Sequence, residues 1–389
     1  MSTITKAFSL PASSRRKART KEIVQNLLAP AGVQIDGSRP FDIRVNNDAF
    51  YEIGLTRGLT GIREAYVDGW WDTDQLDVLT FKVLSQGIKV SQADALSLVI
   101  ADLTGRLRNR QSRRRSLKIR EHYDLGDDLF QAMLDKRMVY SCAYWEHAAN
   151  LDEAQEAKLD LICRKVGLRP GMRVLDIGCG WGSFAKYAAE RYGVSVVGVT
   201  ISENQARLGS EFCAGLPVEI KMQDYRELVP CREKFDAVVS VGMFEHVGYK
   251  NYRNYMKIVR DCLKPEGLFL LHTIGNNTSR VTCDPWTNKY IFPNAMLPSA
   301  KQITAAAEEV MTIEDWHSFG FYYDRTLMAW FDNFERGWPS LKDKYGERFY
   351  RIWKCYLLTA AGMFRARETQ LWQIVLSPAG RVGAYTSIR

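Results

Sequence analysis

Three glycines at alternate positions follow a short apolar run in the stretch Val174-Leu-Asp-Ile-Gly-Cys-Gly-Trp-Gly182. The apolar run predicts a buried strand, and the residues after Gly182 have the spacing of a helix. Glycine lets a ligand approach the backbone, and the first N–H groups of a helix face that ligand. The stretch therefore predicts a site for a nucleotide-like cofactor at the end of a strand in an α/β fold.

The spacing of these glycines separates two classes of cofactor. Dehydrogenases that bind a dinucleotide use GxGxxG and an acidic residue about 20 residues further on, which binds the ribose. Here the spacing is GxGxG, and the second predicted strand ends in Val199-Thr-Ile-Ser202 without an acid, so NAD is disfavoured. Asp176-Ile-Gly-Cys-Gly180 instead fits the turn of methyltransferases, which lies against the methionine and ribose of S-adenosylmethionine. Gln223-Asp-Tyr-Arg226 can hold the adenine, unless Asp224 is only a loop carboxylate in solvent.

Candidate acid–base residues occur at the ends of two later predicted strands. Glu245 and His246 follow the fourth strand, and His272 ends the fifth. The carboxyl ends of parallel strands meet at one edge of the sheet, so we expect these side chains near the glycine turn. A carboxylate and an imidazole at that edge can transfer protons. Two alternatives stay open: Glu245 and His246 only orient other groups, or His246 is itself the general base.

Alternating strand and helix patterns position these residues. The predicted strands are Arg173–Ile177, Val194–Val199, Val218–Lys221, Phe235–Val241, Gly267–Thr273, Met311–Asp315 and Leu371–Ser377. The predicted helices are Leu151–Val166, Ser183–Tyr192, Glu203–Cys213, Tyr252–Leu263, Thr326–Phe334 and Arg348–Arg367. The alternation is typical of an α/β fold with a doubly wound, mostly parallel sheet, to which the last helices add a cap.

A smaller N-terminal domain of the α+β type is predicted at residues 22–105, because 389 residues exceed one ordinary domain. Its helix and strand patterns are Ile23–Ala29, Phe41–Val45 and Leu76–Leu84. The adjacent Trp70 and Trp71 either pack in its core or anchor the chain at a membrane interface. No residue of this domain has a catalytic pattern.

Basic residues are concentrated in two segments that flank this domain. Residues 1–21 form a basic arm without an acid, and residues 106–121 form a basic linker with eight basic residues and no acid between Arg106 and Arg120. The net charge of +8 suggests an anionic partner, and an anionic membrane surface would attract such a linker. Nucleic acid is disfavoured, because no helix-turn-helix, zinc-finger or RNP signature accompanies the run. A solvated charge run is the remaining interpretation.

The apolar and cysteine patterns predict the cellular compartment. No apolar run approaches the roughly 20 residues of a membrane-spanning helix, and residues 1–21 lack the apolar core of a secretion signal. The eight cysteines contain no CxxC pair and no metal-ligand spacing, which indicates reduced thiols and no metal site. We therefore expect a cytoplasmic protein that associates peripherally with the inner face of the membrane.

The quoted stretches and several further motifs resemble the cyclopropane-fatty-acyl-phospholipid synthases, from about residue 20 to about residue 376. The further motifs are Asp68-Gly-Trp-Trp71, His122-Tyr-Asp-Leu-Gly126, Tyr140-Ser-Cys-Ala-Tyr-Trp145, Val196-Val-Gly-Val-Thr-Ile-Ser-Glu-Asn-Gln205, Gly242-Met-Phe-Glu-His-Val-Gly248, His272-Thr-Ile-Gly275, Pro285-Trp-Thr-Asn-Lys-Tyr-Ile-Phe-Pro293 and Phe364-Arg-Ala-Arg367. The related mycolic-acid cyclopropane synthases are similar only over the second domain. The first domain therefore favours the branch that acts on phospholipids.

The resemblance implies a Rossmann-like class I methyltransferase that adds a methylene group across a cis double bond of an unsaturated phospholipid acyl chain. The alkene takes the sulfonium methyl group, and loss of a proton from that methyl lets the resulting carbocation close to a ring. The resemblance also implies that residues 22–105 bind lipid, that residues 122–389 are catalytic and that the protein is a homodimer. An alternative product is a methyl-branched acyl chain. A binding protein with a relic cofactor fold is disfavoured, because Asp176, Glu245 and His272 occur together.

The resemblance further implies which residues contact each group. Those for S-adenosylmethionine are Tyr140, Ser141, Gly178, Gly180, Thr200, Ile201, Gln205, Gln223, Asp224 and Tyr225, to which we add Asp176, Trp181 and Gly182 of the glycine turn. The implied base is a bound bicarbonate ion in a cage of Cys142, Glu245, His272, the backbone of Ile274, and Tyr323. Many relatives have a cysteine where this chain has Ala360, so a catalytic thiol at that position is impossible here.

Overall fold

A computed structural model describes residues 12–87, 126–228 and 234–389, with side chains from residue 19 onward. The basic linker at residues 106–121, most of the motif that begins at His122, and Cys231 lie outside the described residues. Among the residues that are described, no helix is both long and apolar enough to cross a membrane, and no cluster of side chains is suited to a metal ion.

Residues 12–87 form an N-terminal unit of three helices and a two-stranded antiparallel sheet. Its elements are α1 (Ala12–Leu28), β1 (Arg44–Val45), α2 (Ala49–Val67), β2 (Trp71–Asp72) and α3 (Leu76–Ser85). Trp71 is 3% exposed and its indole nitrogen donates to the Ile62 carbonyl at 2.9 Å, so this tryptophan packs in the core, whereas Trp70 is half-buried. Residues 12–21, expected as part of a basic arm, belong to α1, because arginine and lysine favour helix and Lys21 pairs with Asp36 at 2.9 Å.

The rest of the described chain is built on one seven-stranded sheet. Its strands, in order across the sheet, are β5 (Val218–Met222), β4 (Ser195–Thr200), β3 (Arg173–Ile177), β6 (Phe235–Val241), β7 (Leu263–Asn276), β9 (Thr369–Pro378) and β8 (Met311–Ser318). The first five are parallel, and β9 runs antiparallel to both β7 and β8. The order reverses at β3, which opens a crevice beyond its carboxyl end. The prediction of a doubly wound, mostly parallel α/β sheet is confirmed.

Helices cover both faces of this sheet. They are α4 (Asp127–Met133), α5 (Leu151–Lys165), α6 (Ser183–Tyr192), α7 (Glu203–Phe212), α8 (Tyr252–Cys262), α9 (Pro285–Tyr290), α10 (Ala300–Ala307) and α11 (Phe321–Arg365). Successive residues of a strand point to opposite faces, so Val174 packs with α5 and α6 whereas Leu175 packs with α8 and α10. Because both faces are covered, the central parallel strands are mostly apolar, whereas the edge strand β5 contains Glu219 and Lys221.

The helical cap differs from its prediction. The patterns at 326–334 and 348–367 belong to one helix, α11, whose interruption is confined to Gly346 with φ 74° and ψ 163°. Pro339 and Gly346 end a helical pattern in sequence, but the surrounding contacts keep the helix continuous through Pro339. Helices α9 and α10 were not predicted, and only Arg44–Val45 of the pattern at 41–45 forms a strand.

The N-terminal unit packs against α11. Gly362 of α11 lies against α3, where an added Cβ would be 2.6 Å from the Asp77 carbonyl oxygen. Arg351 of α11 donates to the carbonyls of Tyr66 and Trp71 and to the Asp72 carboxylate, at 2.7, 3.2 and 2.8 Å. A close helix contact and a charged anchor thus join the unit to the cap.

Candidate active site

The glycine turn leaves room for a ligand at the end of β3. Gly178 and Gly180 have φ of 83° and 55°, a region that other residues avoid. A Cβ on Gly178 would lie 2.6 Å from Met243, whereas a Cβ on Gly180 would meet no atom within 4 Å. The Gly178 N–H donates to the Val199 carbonyl at 2.9 Å, which fixes the turn against β4. The backbone at Gly180 is therefore open to a bound molecule.

The first cavity lies at this turn and brings together twelve of the thirteen residues predicted to bind S-adenosylmethionine. They are Tyr140, Ser141, Asp176, Gly178, Gly180, Trp181, Thr200, Ile201, Gln205, Gln223, Asp224 and Tyr225. Gly182 is not brought into the lining. It precedes α6, and a Cβ there would lie 3.0 Å from the Cys213 sulfur, so its small size serves packing.

Polar residues of the first cavity are held by neighbours on their own loops. The Thr200 hydroxyl donates to Gln205 Oε1 at 2.8 Å, and Ser202 accepts from the Gln205 N–H at the start of α7. The Asp224 carboxylate accepts from Arg226 Nε at 2.8 Å, and its side chain is only 12% exposed. Asp224 is thus not the solvated loop carboxylate of the alternative interpretation.

Lys158 is a residue of this cavity that the motifs did not indicate. It lies on α5, is 1% exposed and donates to the Ser141 hydroxyl at 2.9 Å. Burial lowers the pKa of Lys158 to about 8, opposed mainly by the Asp135 carboxylate. Burial raises the pKa of Asp176 to about 7, and Lys158 opposes that rise. A buried ammonium therefore stands beside the glycine turn, and its position on an otherwise ordinary helix gave no signal in the sequence.

A second, more apolar cavity adjoins the first. Tyr140, Ser141, Gly242 and His246 line both, so a molecule in one can contact a molecule in the other. The second cavity is also lined by Glu245, His272, Ile274 and Tyr323, four of the five predicted cage residues, and by Ala360. Its aromatic walls include Trp286, Phe292, Tyr356 and Phe364. An apolar acyl chain fits such walls, and aromatic faces attract a cation by about 2 kcal/mol when water is excluded.

Glu245 is held at the bottom of this cavity. Its Oε1 accepts from the Ile274 N–H at 2.7 Å, and its Oε2 is buried without a hydrogen-bond partner among the described residues. Burial raises the pKa of Glu245 to about 7, although the Ile274 N–H lowers it. The Ile274 N–H, part of the predicted cage, thus donates to Glu245, and its contact with an anion stays a prediction.

The two histidines near Glu245 are neutral at physiological pH. Burial lowers the pKa of His272 far below its ordinary value, and Lys158 and Lys165 lower it further. Gln373 Nε2 lies 3.3 Å from His272 Nδ1; with the amide donating, the ring proton is on Nε2. Nε2 is buried without a partner in the described parts of the chain. Burial also lowers the pKa of His246 to about 4, so that imidazole can accept a proton.

The remaining predicted cage residues have different positions. Tyr323 is 7% exposed and its ring packs against Phe364, with centroids 4.5 Å apart. Cys142 is fully buried outside the lining of the second cavity, and its thiol donates to the Ala143 carbonyl at 3.3 Å. The Cys142 thiol is thus turned into the core, and the place of Cys142 in the cage stays a prediction.

Known proteins are similar to this chain over most of its length. A family model described as mycolic acid cyclopropane synthetase matches residues 110–374. The chain is 52% identical over 356 residues to the cyclopropane-fatty-acyl-phospholipid synthase of Escherichia coli K12, a match that covers 91% of this chain and 92% of that protein. A probable fatty acid methyltransferase of Pseudomonas putida is 37% identical over 266 residues, with 65% of this chain and 67% of that protein covered.

A solved cyclopropane synthase structure is also similar to this chain. The mycolic acid cyclopropane synthase CmaA1, solved in complex with SAH and CTAB, superposes with a TM-score of 0.63 and is 31% identical. The match covers 98% of that chain but only 67% of this one. A third of the present chain thus has no counterpart in that structure, whereas the E. coli protein matches nearly all of it.

Proposed function

Since the chain belongs to the mycolic acid cyclopropane synthetase family, we propose that its second cavity holds an unsaturated acyl chain beside a bound bicarbonate that serves as the base. The reaction itself is that of a cyclopropane-fatty-acyl-phospholipid synthase: the enzyme transfers a methylene group from S-adenosylmethionine to the cis double bond of a phospholipid acyl chain and forms a cyclopropane ring. When bound, S-adenosylmethionine supplies the electrophilic methyl group.

The first cavity suits S-adenosylmethionine because it combines an open glycine backbone with fixed polar groups. Gly180 permits close approach, Asp224 and Tyr225 line the cavity and are the residues expected to hold the adenine, and Lys158 offers a buried positive charge. We propose that the Lys158 ammonium binds the carboxylate of the methionine moiety. Asp135 and Asp176 offset only part of the cost of burying this cation, since the pKa of Lys158 is still lowered to about 8, and a ligand carboxylate would offset more of it.

The single observation that carries the bicarbonate proposal is a pair of buried polar atoms without partners in the described structure, Glu245 Oε2 and His272 Nε2. Each unsatisfied buried polar atom costs about 1–3 kcal/mol, so a ligand with both a donor and acceptors would be favoured between them. Bicarbonate has a hydroxyl and two anionic oxygens, and when bound it supplies the proton acceptor. His272 Nε2 donates to the anion, and Glu245 orients its hydroxyl.

His246 provides the competing mechanism without bicarbonate. Its imidazole is neutral, lines both cavities and could take the proton directly. We favour bicarbonate because Glu245 Oε2 and His272 Nε2 together offer an acceptor and a donor to one ion in the second cavity. A base at either place closes the ring, whereas a failure to remove the proton would give the methyl-branched alternative.

The product is tested by incubation with vesicles of an unsaturated phospholipid and S-adenosylmethionine, followed by mass analysis of the fatty esters before and after ozone treatment. A gain of one CH₂ with loss of the ozone-sensitive double bond is expected. A gain of one CH₂ with a double bond that still reacts with ozone identifies a methyl-branched chain. Unchanged lipid, with the cofactor shown to be bound, would exclude the reaction.

Removal of dissolved carbon dioxide tests whether the base is bicarbonate or His246. We expect turnover to fall at least about tenfold in a degassed buffer under argon and to return when sodium bicarbonate is added. Sodium chloride at the same ionic strength is the control and should restore nothing. Turnover that is indifferent to bicarbonate but is abolished by His246→Gln would assign the base to His246.

We also propose that the enzyme works at an anionic membrane surface on the cytoplasmic side, as a homodimer whose N-terminal unit binds lipid. The net charge of +8 and the acid-free run between Arg106 and Arg120 support this proposal, because basic residues are attracted to anionic lipid by about 1 kcal/mol each. Sedimentation of the protein with vesicles at low salt should decrease when Arg113, Arg114 and Arg115 are changed to Gln, and equal binding would remove the linker from the proposal.

The proposed dimer has its own test. Analytical ultracentrifugation would report the dimer, and a monomer at micromolar concentration would exclude it.

A further inference from the structure

A third cavity lies in the N-terminal unit, between α1, α2, α3 and α11. Most of its walls are apolar, with Leu28, Phe50, Leu55, Leu59, Leu79 and Val83 contributing side chains. Several of these are only half-buried, and Leu59 is 42% exposed. The unit therefore contains an apolar cavity that its described side chains do not fill.

The third cavity meets the second at a polar junction. Arg63 of α2, Asp284, Thr359 and Met363 line both cavities. Arg63 Nη1 donates to Asp284 Oδ1 at 3.1 Å, and its guanidinium lies over the Trp286 ring, 5.4 Å from the centroid. Two apolar spaces are thus separated by one ion pair.

This junction reaches water. The Arg63 side chain is 16% exposed and that of Asp284 is 42% exposed. Two further charged residues that line the third cavity, Arg280 and Glu368, are also exposed. These four side chains carry two positive and two negative charges, so a polar group with little net charge can lie at the junction without a large electrostatic cost.

Two apolar cavities that meet at one polar, water-exposed point match the two acyl chains and the polar glycerol esters of a phospholipid. We propose that the third cavity takes the second acyl chain of the phospholipid whose unsaturated chain lies in the second cavity, with the glycerol esters at Arg63 and Asp284. This inference rests on the proposed function, since it assumes a phospholipid substrate. It gives the N-terminal unit a direct part in substrate binding.

The other possible occupant is the far end of the reacting chain, passing from the second cavity into the third. That path would press methylene groups against the Arg63–Asp284 pair and remove water from both charges. Burying charged groups beside apolar ones carries a large desolvation cost. A glycerol backbone with ester oxygens at the same place can accept hydrogen bonds from Arg63 instead.

The test compares two substrates in mixed micelles of one nonionic detergent at equal surface fraction. One is a phosphatidylglycerol with an unsaturated chain and a saturated second chain, and the other is the lyso compound that keeps only the unsaturated chain. The wild-type enzyme should show a kcat/KM about tenfold higher for the two-chain lipid, equivalent to about 1.4 kcal/mol. Gly54→Leu should remove this preference, because Gly54 lines the third cavity and its added Cβ would make an ordinary 3.6 Å contact with Ile62.

The control is Thr56→Leu on the same helix, which places the same leucine side chain at an exposed position and should behave as wild type. Activity of Gly54→Leu on the lyso lipid should stay unchanged, which also shows that the variant is folded. Equal kcat/KM for the two lipids in the wild type, or an equal loss on both in Gly54→Leu, would overturn the inference. A wild type that converts neither lipid would instead contradict the proposed function.

Discussion

Glu245 combines a catalytic position with a cost to the fold. Its pKa of about 7 lies above the ordinary value of 4.5, because burial disfavours the carboxylate. A carboxyl whose native pKa is raised stabilises the fold below its unfolded pKa, and this contribution is lost as the pH rises through the native pKa. The window of loss is therefore pH 4.5 to 7.

Glu245→Gln should separate activity from stability. The amide oxygen can still accept from the Ile274 N–H, so affinity for S-adenosylhomocysteine should stay unchanged. Because the carboxylate is lost, turnover should fall by about 10² to 10⁴. The free energy of unfolding of the variant, relative to that of the wild type, should rise by up to about 1.4 kcal/mol for each pH unit across that window. Urea denaturation at pH 5, 6, 7 and 8 measures the gain, with the exposed Glu266→Gln as control. A stability difference that does not change with pH would contradict the buried carboxyl assigned to Glu245.

Lys158 can be tested by its effect on cofactor affinity. Lys158→Met keeps most of the apolar stem but removes the charge beside the glycine turn, so the Kd for S-adenosylhomocysteine should rise about tenfold to a hundredfold, as for a lost hydrogen bond to a charged group. Titration calorimetry measures the Kd. Lys165→Met is the matched control, because Lys165 is equally buried but faces His317 and Asp315 outside the first cavity. A similar loss of affinity in both variants would mean that Lys158 acts only through the fold.

At the scale of elements, local patterns predicted the sheet and missed much of the cap. Strand β3 and the glycines after it are recognisable because their residue types are dictated by neighbours in sequence. The continuity of α11 depends on contacts with α3 and α4 that no local pattern reports. For the same reason Glu245 and His272 were placed correctly at the sheet edge, whereas the contact between Glu245 and the Ile274 N–H, and the turn of Cys142 into the core, were not foreseen. Lys158 was missed because its role depends on the approach of α5 to the glycine turn.

Gly346 is the element-scale feature most open to test. Its φ of 74° and ψ of 163° belong to a region that other residues avoid, and no atom stands within 4 Å of where a Cβ would lie. Gly346→Ala should therefore lose about 1–3 kcal/mol of unfolding free energy through backbone strain alone. Urea denaturation measures the loss. The adjacent exposed Glu347→Ala should stay within about 0.5 kcal/mol of wild type, and equal stability of both variants would show that the kink can straighten at no cost.

At the scale of the whole molecule, the N-terminal unit packs against α11, and Arg351 of α11 makes three hydrogen bonds to the unit. Its side chain is 17% exposed and satisfies two backbone carbonyls and the Asp72 carboxylate, whereas Arg348 on the same helix is 54% exposed and lies 3.3 Å from Asp68. Arg351→Met would remove one donor from each of these three acceptors and should cost about 2–3 kcal/mol. Arg348→Met removes a screened surface pair and should change stability by less than about 1 kcal/mol.

Thermal unfolding followed by circular dichroism, with limited proteolysis at intermediate temperature, distinguishes a docked unit from a tethered one. If Arg351 holds the N-terminal unit to the cap, Arg351→Met should unfold in two steps, with cleavage of the unit before the sheet, while Arg348→Met keeps one transition. Because the second and third cavities meet at Arg63 and Asp284, a loosened unit should also lower kcat/KM for a two-chain lipid more than for its lyso form. A single unaltered transition in both variants would instead mean that other contacts of the unit, such as the close approach at Gly362 and the Arg365–Asp77 ion pair at 2.9 Å, keep it in place without Arg351.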